Sequence, residues 1–203
     1  MPYPAGHRDQ RRIRIVDSAR RLFNRHGFDA VSIKQIMAGA GLTHGGFYSY
    51  FGSKSDLYAE VLGCFFTDPH WKNAWEGVEI NLTHELGPQV VRAYLSQGHF
   101  EAGENTCPMV ALPTDVARNG VRARQAFEDV FGAMVKLLAG AEAGSPRHQR
   151  AQAVAALCVG GMVVARAMVN RPAADALRHA CLEVALDLGE WDHGKSTRLR
   201  RTL

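Results

Sequence analysis

VSIKQIMAGAGLTHGGFYSYFGSKSDL, residues 31–57, is the stretch that decides the fold of this protein. Ser32 is a typical N-cap for a short second helix, which is expected to stop at the glycine-containing turn 39–41. Thr43 is expected to cap a third helix over residues 44–50. Because so short a turn joins the two helices, they are expected to cross steeply, which is the geometry of a helix-turn-helix.

A first helix precedes this stretch and a fourth follows it. In the first helix, apolar residues recur at steps of three and four, which is the period of an amphipathic helix. They are Ile13, Val16, Ala19, Leu22 and Phe23. Gly27 is expected to end this first helix in the left-handed conformation that glycine adopts without strain. Ser53 is expected to cap the fourth helix, which runs from Lys54 to Thr67.

The rest of the chain also predicts helices. Proline and glycine breaks separate helix-like segments near 88–101, 108–118, 121–142, 146–170 and 172–189, with a further short helix around 71–78. We therefore predict an all-α protein with an N-terminal three-helix helix-turn-helix domain and a C-terminal helical ligand-binding and dimerisation domain. The expected bounds are 1–52 for the first domain, 53–192 for the second with helix 54–67 as connector, and 193–203 for a basic tail.

The composition excludes several classes of protein. Hydrophobic residues make up 46% and charged residues 22% of the 203, as in ordinary globular domains. The longest stretch of uncharged apolar or small residues, Ala153–Ala165, has 13 residues, whereas a membrane span needs about 20. The N-terminus lacks the apolar core of a secretory signal. Four cysteines without a CxxC pair favour a reducing cytoplasm and argue against a zinc site.

The charges are unevenly distributed. Residues 1–60 hold nine Lys or Arg against five acids, residues 61–192 hold eleven against fifteen, and the tail 193–203 holds four with no acid. A basic N-terminal segment on an acidic remainder favours binding of a polyanion by that segment.

The third helix has an outward face that suits a DNA groove. His44, Gly45, Tyr48 and Ser49 are expected on that face, where glycine lets the backbone approach closely. The paired glycines 45 and 46 weaken a helix by roughly 1 kcal/mol each relative to alanine, so a purely structural helix would gain nothing from them.

An ordered motif runs through residues 12–62. It comprises the first-helix pattern IVDSARRLF at 15–23 followed by Gly27-Phe28, the Ser32 cap, AGLT at 40–43, and Phe51-x-Ser53-Lys54-x-x-Leu57. This segment resembles the DNA-binding domain of the TetR (tetracycline-repressor-like) family of bacterial regulators. The chain departs from many members at His44, where lysine is frequent, and at Gly46, where threonine or serine is frequent.

The resemblance implies a set of DNA contacts. The recognition helix would place His44, Gly45 and Tyr48 nearest the bases, with Lys34 as a further contact to a base or a phosphate. The residues that would grip the phosphates of double-stranded operator DNA are Ser32, Thr43, Ser49, Tyr50 and Lys54. Two of these residues have a structural alternative, since Tyr50 can pack between helices and Lys34 can be a solvated charge.

The resemblance also implies an effector pocket in the C-terminal domain, for a small apolar or aromatic molecule. The residues assigned to it are Phe65, Trp75, Leu95, His99, Phe100, Cys107, Met109 and Phe131. The alternative for each apolar one is plain core packing. Cys107 has another alternative, because Pro108 places it at a helix N-terminus, where the helix dipole lowers the pKa of a thiol and could make it a redox sensor.

Two C-terminal segments rich in small residues, 151–168 and 172–189, predict a dimer interface. The first segment is too apolar all round for the surface of a monomer, and together with the second it would pair with a second copy as a four-helix bundle. The predicted contacts are Leu157, Gly160, Gly161, Val164, Leu177, Cys181 and Val184. The alternative is a central helix buried within one subunit.

The expected function is a ligand-responsive DNA-binding regulator. We expect a homodimeric repressor that releases a palindromic operator when its effector binds. The alternatives are a thiol-based regulator acting through Cys107 and, from another class, a helical scaffold protein. Catalytic and metal-binding spacings are lacking in the sequence, so no enzyme activity, metal or cofactor is expected.

Overall fold

The computed structural model describes residues 5–63, 85–140 and 145–191, and in these ranges the protein is helical without any strand, which confirms the all-α prediction. The helices are α1 (Ala5–His26), α2 (Ile33–Gly39), a 3₁₀ helix (His44–Ser49), α3 (Lys54–Gly63), α4 (Leu86–Tyr94), α5 (Gln97–Glu101), a 3₁₀ turn (Gly103–Asn105), α6 (Pro108–Ala111), α7 (Pro113–Arg118), α8 (Val121–Ala139), α9 (Pro146–Ala167) and α10 (Arg171–Gly189). We call residues 5–63 the N-terminal unit and residues 85–140 with 145–191 the body.

Local signals begin and end the first helices as the sequence predicts. The Ser32 hydroxyl accepts from the Gln35 N–H at 3.2 Å, and the Gln35 side chain accepts from the Ser32 N–H at 2.8 Å. This reciprocal pair is a capping box. Gly27, with φ +78°, and Gly41, with φ +67°, occupy the left-handed region in the turns after α1 and α2.

The third helix differs from the prediction in type. Residues 44–49 form a 3₁₀ helix rather than an α-helix, and the Thr43 side chain makes no capping hydrogen bond there. The physical reason is that Gly45 and Gly46 do not favour an α-helix, while the fully buried Phe47 ties this short element to the core.

The core of the N-terminal unit continues into the body. Its fully buried members include Ile15, Phe23 and Leu57. The same cluster takes in Leu112, which lies between α6 and α7, and Val116 of α7. The domain boundary predicted between residues 52 and 53 stays a prediction. Hydrophobic packing is continuous between the N-terminal unit and the body.

The body is a stack in which α9 lies between α8 and α10, and α4 packs on α8 and α10. Two predicted helices are interrupted. The segment 88–101 divides at Leu95 and Ser96, and the segment 108–118 divides at Leu112, because Pro113 starts a new helix there. The predicted helix 71–78 and the tail 193–203 lie outside the described residues.

Helix α9 has the length and composition of a membrane span, with a mean hydropathy of 1.2 over its most apolar window. Of that window, 39% is buried inside the structure. One such helix is weak evidence for a span, because buried helices of globular proteins have the same properties.

Candidate nucleic-acid interface

The 3₁₀ helix 44–49 presents one apolar and one open side. Phe47 points inward and is fully buried, whereas Tyr48 is 64% exposed and its ring stands edge-on to that of Phe47 with centroids 5.2 Å apart. Thr43, His44, Gly45 and Ser49 are exposed beside Tyr48. The predicted base-reading residues His44, Gly45 and Tyr48 are therefore all exposed to solvent.

Helix α1 holds this surface in place through main-chain contacts. Arg8 donates from a guanidinium nitrogen to the carbonyl oxygen of Ser49 at 3.0 Å, and Arg12 donates to that of Tyr50 at 2.7 Å. Arg12 also pairs with Glu60 of α3 and lies over the ring of Phe51, 4.3 Å from its centroid. These roles of the α1 arginines are not readable from the sequence, which shows only that the helix is basic.

A buried hydroxyl fixes α2 against α1. Ser18 donates to the carbonyl oxygen of Ile36 at 2.9 Å and is nearly inaccessible to solvent. A Cβ at Gly39 would lie 2.3 Å from the Ser18 Oγ, so glycine is needed for this close helix approach. The Ile36 carbonyl precedes the turn into the 3₁₀ helix, so the contact helps to set the angle between the two elements.

The remaining predicted phosphate contacts fall into two groups. Lys34 and Ser32 are exposed at the start of α2, and the Ser32 hydroxyl also serves the capping box. Tyr50 is half-buried and packs against the N-terminal core, in agreement with the structural alternative for this residue. DNA contacts by these residues stay predictions.

Lys54 does not extend into solvent. Its ammonium donates to the carbonyl oxygens of Phe28 at 2.7 Å and Val31 at 2.8 Å, and lies 4.2 Å from the centre of the Phe28 ring. Burial lowers the pKa of this ammonium, against a raising contribution from Asp29. Two of its three donors are used inside the N-terminal unit. This geometry favours a role for Lys54 in positioning the turn between α1 and α2 over the predicted contact with a DNA phosphate.

The predicted pocket residues that the structure describes belong to one hydrophobic core. Leu95, Cys107 and Met109 are buried in it, and Phe100 and Phe131 pack against it in partly buried positions. The centre of the Phe100 ring lies 4.3 Å from the guanidinium carbon of Arg171 and 4.8 Å from that of Arg178. Phe65 and Trp75 lie outside the described residues.

The buried ring of His99 contacts Tyr94, Thr106 and Cys107. Its Nδ1 lies 2.7 Å from the Tyr94 carbonyl oxygen, and its Nε2 accepts from the Cys107 N–H at 3.3 Å and lies 3.2 Å from the Thr106 hydroxyl. A neutral ring with the proton on Nδ1 satisfies these contacts. Burial lowers the pKa of His99 to about 4, so the ring is neutral at pH 7.

Cys107 is the N-cap residue of α6, as predicted, and the alternative of a thiol with a lowered pKa is contradicted. The residue is fully buried, and burial raises the pKa of its thiol to about 12. The helix that follows has only four residues, and the cost of removing a thiolate from water exceeds what its dipole supplies.

The predicted dimer residues separate into an inner and an outer set. Gly161 and Cys181 are corrected to contacts within one protomer, since a Cβ at Gly161 would lie 2.7 Å from the Cys181 Sγ. Leu157 and Leu177 are partly buried against the body core. The outer set is exposed: Gly160, Val164 and Val184. The sequence pattern marks both sets as apolar but not which of them turns outward.

The described body residues include no group of three His, Cys, Asp or Glu side chains able to hold a metal ion. The N-terminal unit, by contrast, has all the elements of a helix-turn-helix. Two short helices are joined by a glycine turn, the second has an exposed face, and α1 contacts both. The class defined by this fold is that of all-α proteins with an N-terminal helix-turn-helix.

The comparisons with known proteins agree with this class. Residues 15–61 match the family model described as "Bacterial regulatory proteins, tetR family". A 47-residue segment is 43% identical to the HTH-type transcriptional regulator AcrR of Shigella flexneri, covering 23% of this chain and 22% of AcrR. A 56-residue segment is 30% identical to the uncharacterised HTH-type regulator YfiR of Bacillus subtilis, covering 28% of this chain and 27% of YfiR.

Residues 15–61 of this chain are therefore similar to the DNA-binding segment of TetR-family regulators, in agreement with the sequence resemblance. The matched segments span about a quarter of the length of these two curated relatives.

Solved structures extend the likeness to the whole fold. A TetR-family regulator from Cytophaga hutchinsonii superposes with a TM-score of 0.69 at 16% identity, over 92% of this chain and 98% of that protein. The reduced form of NemR from Escherichia coli gives 0.67 at 18% identity, over 87% and 95%. The TetR-family repressor FadR of Thermus thermophilus, in complex with lauroyl-CoA, gives 0.54 at 18% identity, over 92% and 98%. At these identities the likeness shows the fold alone.

Proposed function

We propose that this protein is a cytoplasmic, homodimeric transcriptional regulator that binds a palindromic operator and releases it when a small apolar or aromatic effector binds. The observation that carries the DNA-binding part is the open face of the 3₁₀ helix 44–49, which we call the recognition helix. Tyr48 is a large, solvent-exposed aromatic residue on that face, with His44 and Gly45 beside it. A residue of this kind is suited to apolar and hydrogen-bonding contacts with base edges.

The dimer part rests on an uncovered apolar face of α9 and α10. Val164 is 53% exposed and Val184 is 56% exposed, and further exposed apolar or small residues continue the two stripes at Gly160, Val163, Ala167, Ala180 and Leu188. Such a paired-helix face is the kind of surface that a second copy buries in an isologous interface. A two-fold dimer would present two recognition helices about 34 Å apart, one helical turn of DNA.

The effector part rests on the chemistry of the body. Met109 is buried in an apolar core against which Phe131 packs, and this supports an apolar part of the ligand. FadR of Thermus thermophilus, which shares the fold, is a repressor bound to an acyl-CoA. A repressor that releases DNA on binding such a ligand is the simplest regulator of this architecture.

A gel-shift assay with the DNA that flanks the protein's own gene tests the proposal. Specific binding requires a complex that survives excess unrelated duplex, and Tyr48→Ala should lose this selectivity. A matched control is Tyr58→Phe, since Tyr58 is buried in the core and away from the open face. A wild-type protein that binds both duplexes equally, or neither, would show that it is not a sequence-specific regulator. A melting-temperature screen of apolar ligands then tests the effector part.

A further inference from the structure

Asp115 reaches from α7 of the body to the turn that follows α1. Its Oδ2 accepts from the Phe28 N–H at 2.9 Å, and its Oδ1 pairs with Arg118 at 2.8 Å. Each carboxylate oxygen thus has its own donor. Hydrogen bonds to a charged acceptor are about twice as strong as neutral ones.

The turn has the shape that this contact requires. Gly27 adopts φ +78°, which favours glycine, and a Cβ there would lie 2.8 Å from the Asp115 Oδ2. Glycine therefore provides both the conformation and the space for the carboxylate. Its own N–H donates to the Phe23 carbonyl oxygen at 2.8 Å, so the end of α1 is ordered where the body touches it.

The peptide groups of this turn are held from two sides. Asp115 accepts from the Phe28 N–H, while Lys54 of α3 donates to the carbonyl oxygens of Phe28 and Val31. Ser32, the N-cap of α2, comes directly after Val31. A displacement of α7 would therefore act on the segment that starts the helix-turn-helix.

Another charged contact between the N-terminal unit and the body is of a different kind. Asp56 of α3 pairs with Arg122 of α8, but the Arg122 side chain is 74% exposed. Exposed ion pairs of this sort contribute little to stability because water screens them. Asn24 links α1 to the body by neutral bonds to the carbonyl oxygens of Glu104 at 3.0 Å and Thr106 at 2.8 Å.

We propose that Asp115 is a positioning residue for operator binding: by holding the Phe28 peptide, it sets the orientation of each helix-turn-helix relative to the body. In a dimer this orientation determines the separation of the two recognition helices. The inference rests on the proposed function, since it needs a dimer that binds two half-sites. Asp115 touches no DNA in this scheme and acts through the turn 28–31.

Full-site and half-site DNA distinguish positioning from simple stabilisation. A half-site engages one N-terminal unit, so its affinity depends little on how the two units are spaced. A palindromic site engages both, and the second contact gains from a matched geometry. The probes are a palindromic duplex selected by the wild-type protein from a random-sequence pool and the same duplex with one half-site scrambled.

Asp115→Ala is the test variant and Asp56→Ala is the matched control, because both remove a carboxylate at the junction. We expect Asp115→Ala to bind the palindrome about tenfold more weakly or worse, with half-site affinity changed less than threefold. Asp56→Ala should change both by less than threefold. Asp115→Asn keeps an oxygen acceptor for the Phe28 N–H and should bind the palindrome better than Asp115→Ala. If the alanine variant does not fold, palindrome and half-site affinities are compared between Asp115→Asn and the wild type instead.

The outcomes separate the two hypotheses. Equal losses on both duplexes would show that Asp115 only stabilises the N-terminal unit, and unchanged binding to both would show no role; either result overturns the inference while the proposed function stands. A wild-type protein that prefers no duplex, or that binds the palindrome and the half-site equally, overturns the proposed function itself.

Discussion

The ammonium of Lys54 donates to the carbonyl oxygen of Phe28 at 2.7 Å, while its charge lies over the ring of the same residue. One side chain thereby joins the start of α3 to the turn between α1 and α2. The pairing makes Lys54 part of the frame that presents the recognition helix, and it leads to the first of five predictions.

Lys54→Met should lower the free energy of unfolding by about 1–3 kcal/mol, because two partly buried carbonyl groups lose their donor. Lys34→Met is the control, since Lys34 is exposed and should leave stability unchanged. Urea denaturation gives both values. The salt dependence of DNA binding is the second measurement: a positioning residue leaves the slope of log K against log salt unaltered. If the magnitude of the slope is instead smaller by about 0.9 in the Lys54 variant, Lys54 contacts a DNA phosphate, as the sequence predicted.

Tyr48→Ala should relax sequence preference without loss of stability. The side chain is 64% exposed and contributes little to the core, so the melting temperature should stay within about 2 °C of wild type. Competition between operator and scrambled duplex measures the preference. An operator affinity equal to that of wild type would mean that this face of the recognition helix is not the one that reads bases.

Val164→Glu and Val184→Glu should produce monomers. Each places a charge on the uncovered apolar face of α9 or α10, where it would be buried unpaired in a dimer. Val121→Glu is the control, because Val121 is 72% exposed on α8, away from that face. Sedimentation velocity reports the assembly state at micromolar concentration. Gly161→Arg is unsuitable for this purpose, since it would clash with Cys181 inside one protomer. Dimers that tolerate both glutamates would place the interface elsewhere.

Stability should fall between pH 7 and pH 5 because of His99. Its folded-state pKa is lowered to about 4 by burial, whereas an unfolded histidine titrates near 6.5. In that interval the unfolded chain binds more protons, so the free energy of unfolding decreases as the pH falls, by about 2 kcal/mol at pH 5. His99→Gln should lose this part of the pH dependence, and the exposed His179→Gln should keep it. Identical pH profiles for wild type and His99→Gln would contradict the neutral buried ring.

Cys107 should be unreactive in the folded protein. With the pKa of its thiol raised to about 12, almost no thiolate exists at pH 8. Iodoacetamide labelling resolved by peptide mass spectrometry should leave Cys107 unmodified until urea unfolds the chain. Peroxide-induced release of DNA, if it occurs, should be the same in Cys107→Ser. Rapid labelling of Cys107, or a peroxide response that this variant abolishes, would favour the thiol-sensing alternative.

The sequence by itself determined the features that depend on neighbours along the chain. The capping box at Ser32, the left-handed turns at Gly27 and Gly41, and the helix start at Pro146 follow from interactions within four residues. The order of these signals was enough to predict the helix-turn-helix and its resemblance to the TetR family. The 3₁₀ form of residues 44–49 lay at the limit of such reasoning, since two glycines weaken the α-helical preference without specifying what replaces it.

Only the tertiary structure decided which side chains are inside. Lys54 was expected to contact phosphates at the surface, but it meets carbonyl groups 23 and 26 residues away. The thiol-sensing alternative needs a reactive Cys107, but this residue is enclosed by helices from across the body. The same holds for Gly161 and Gly160, adjacent in sequence, of which the first packs on Cys181 and the second faces solvent. Desolvation and charge pairing depend on which distant segments meet in space, and local residue patterns do not contain that information.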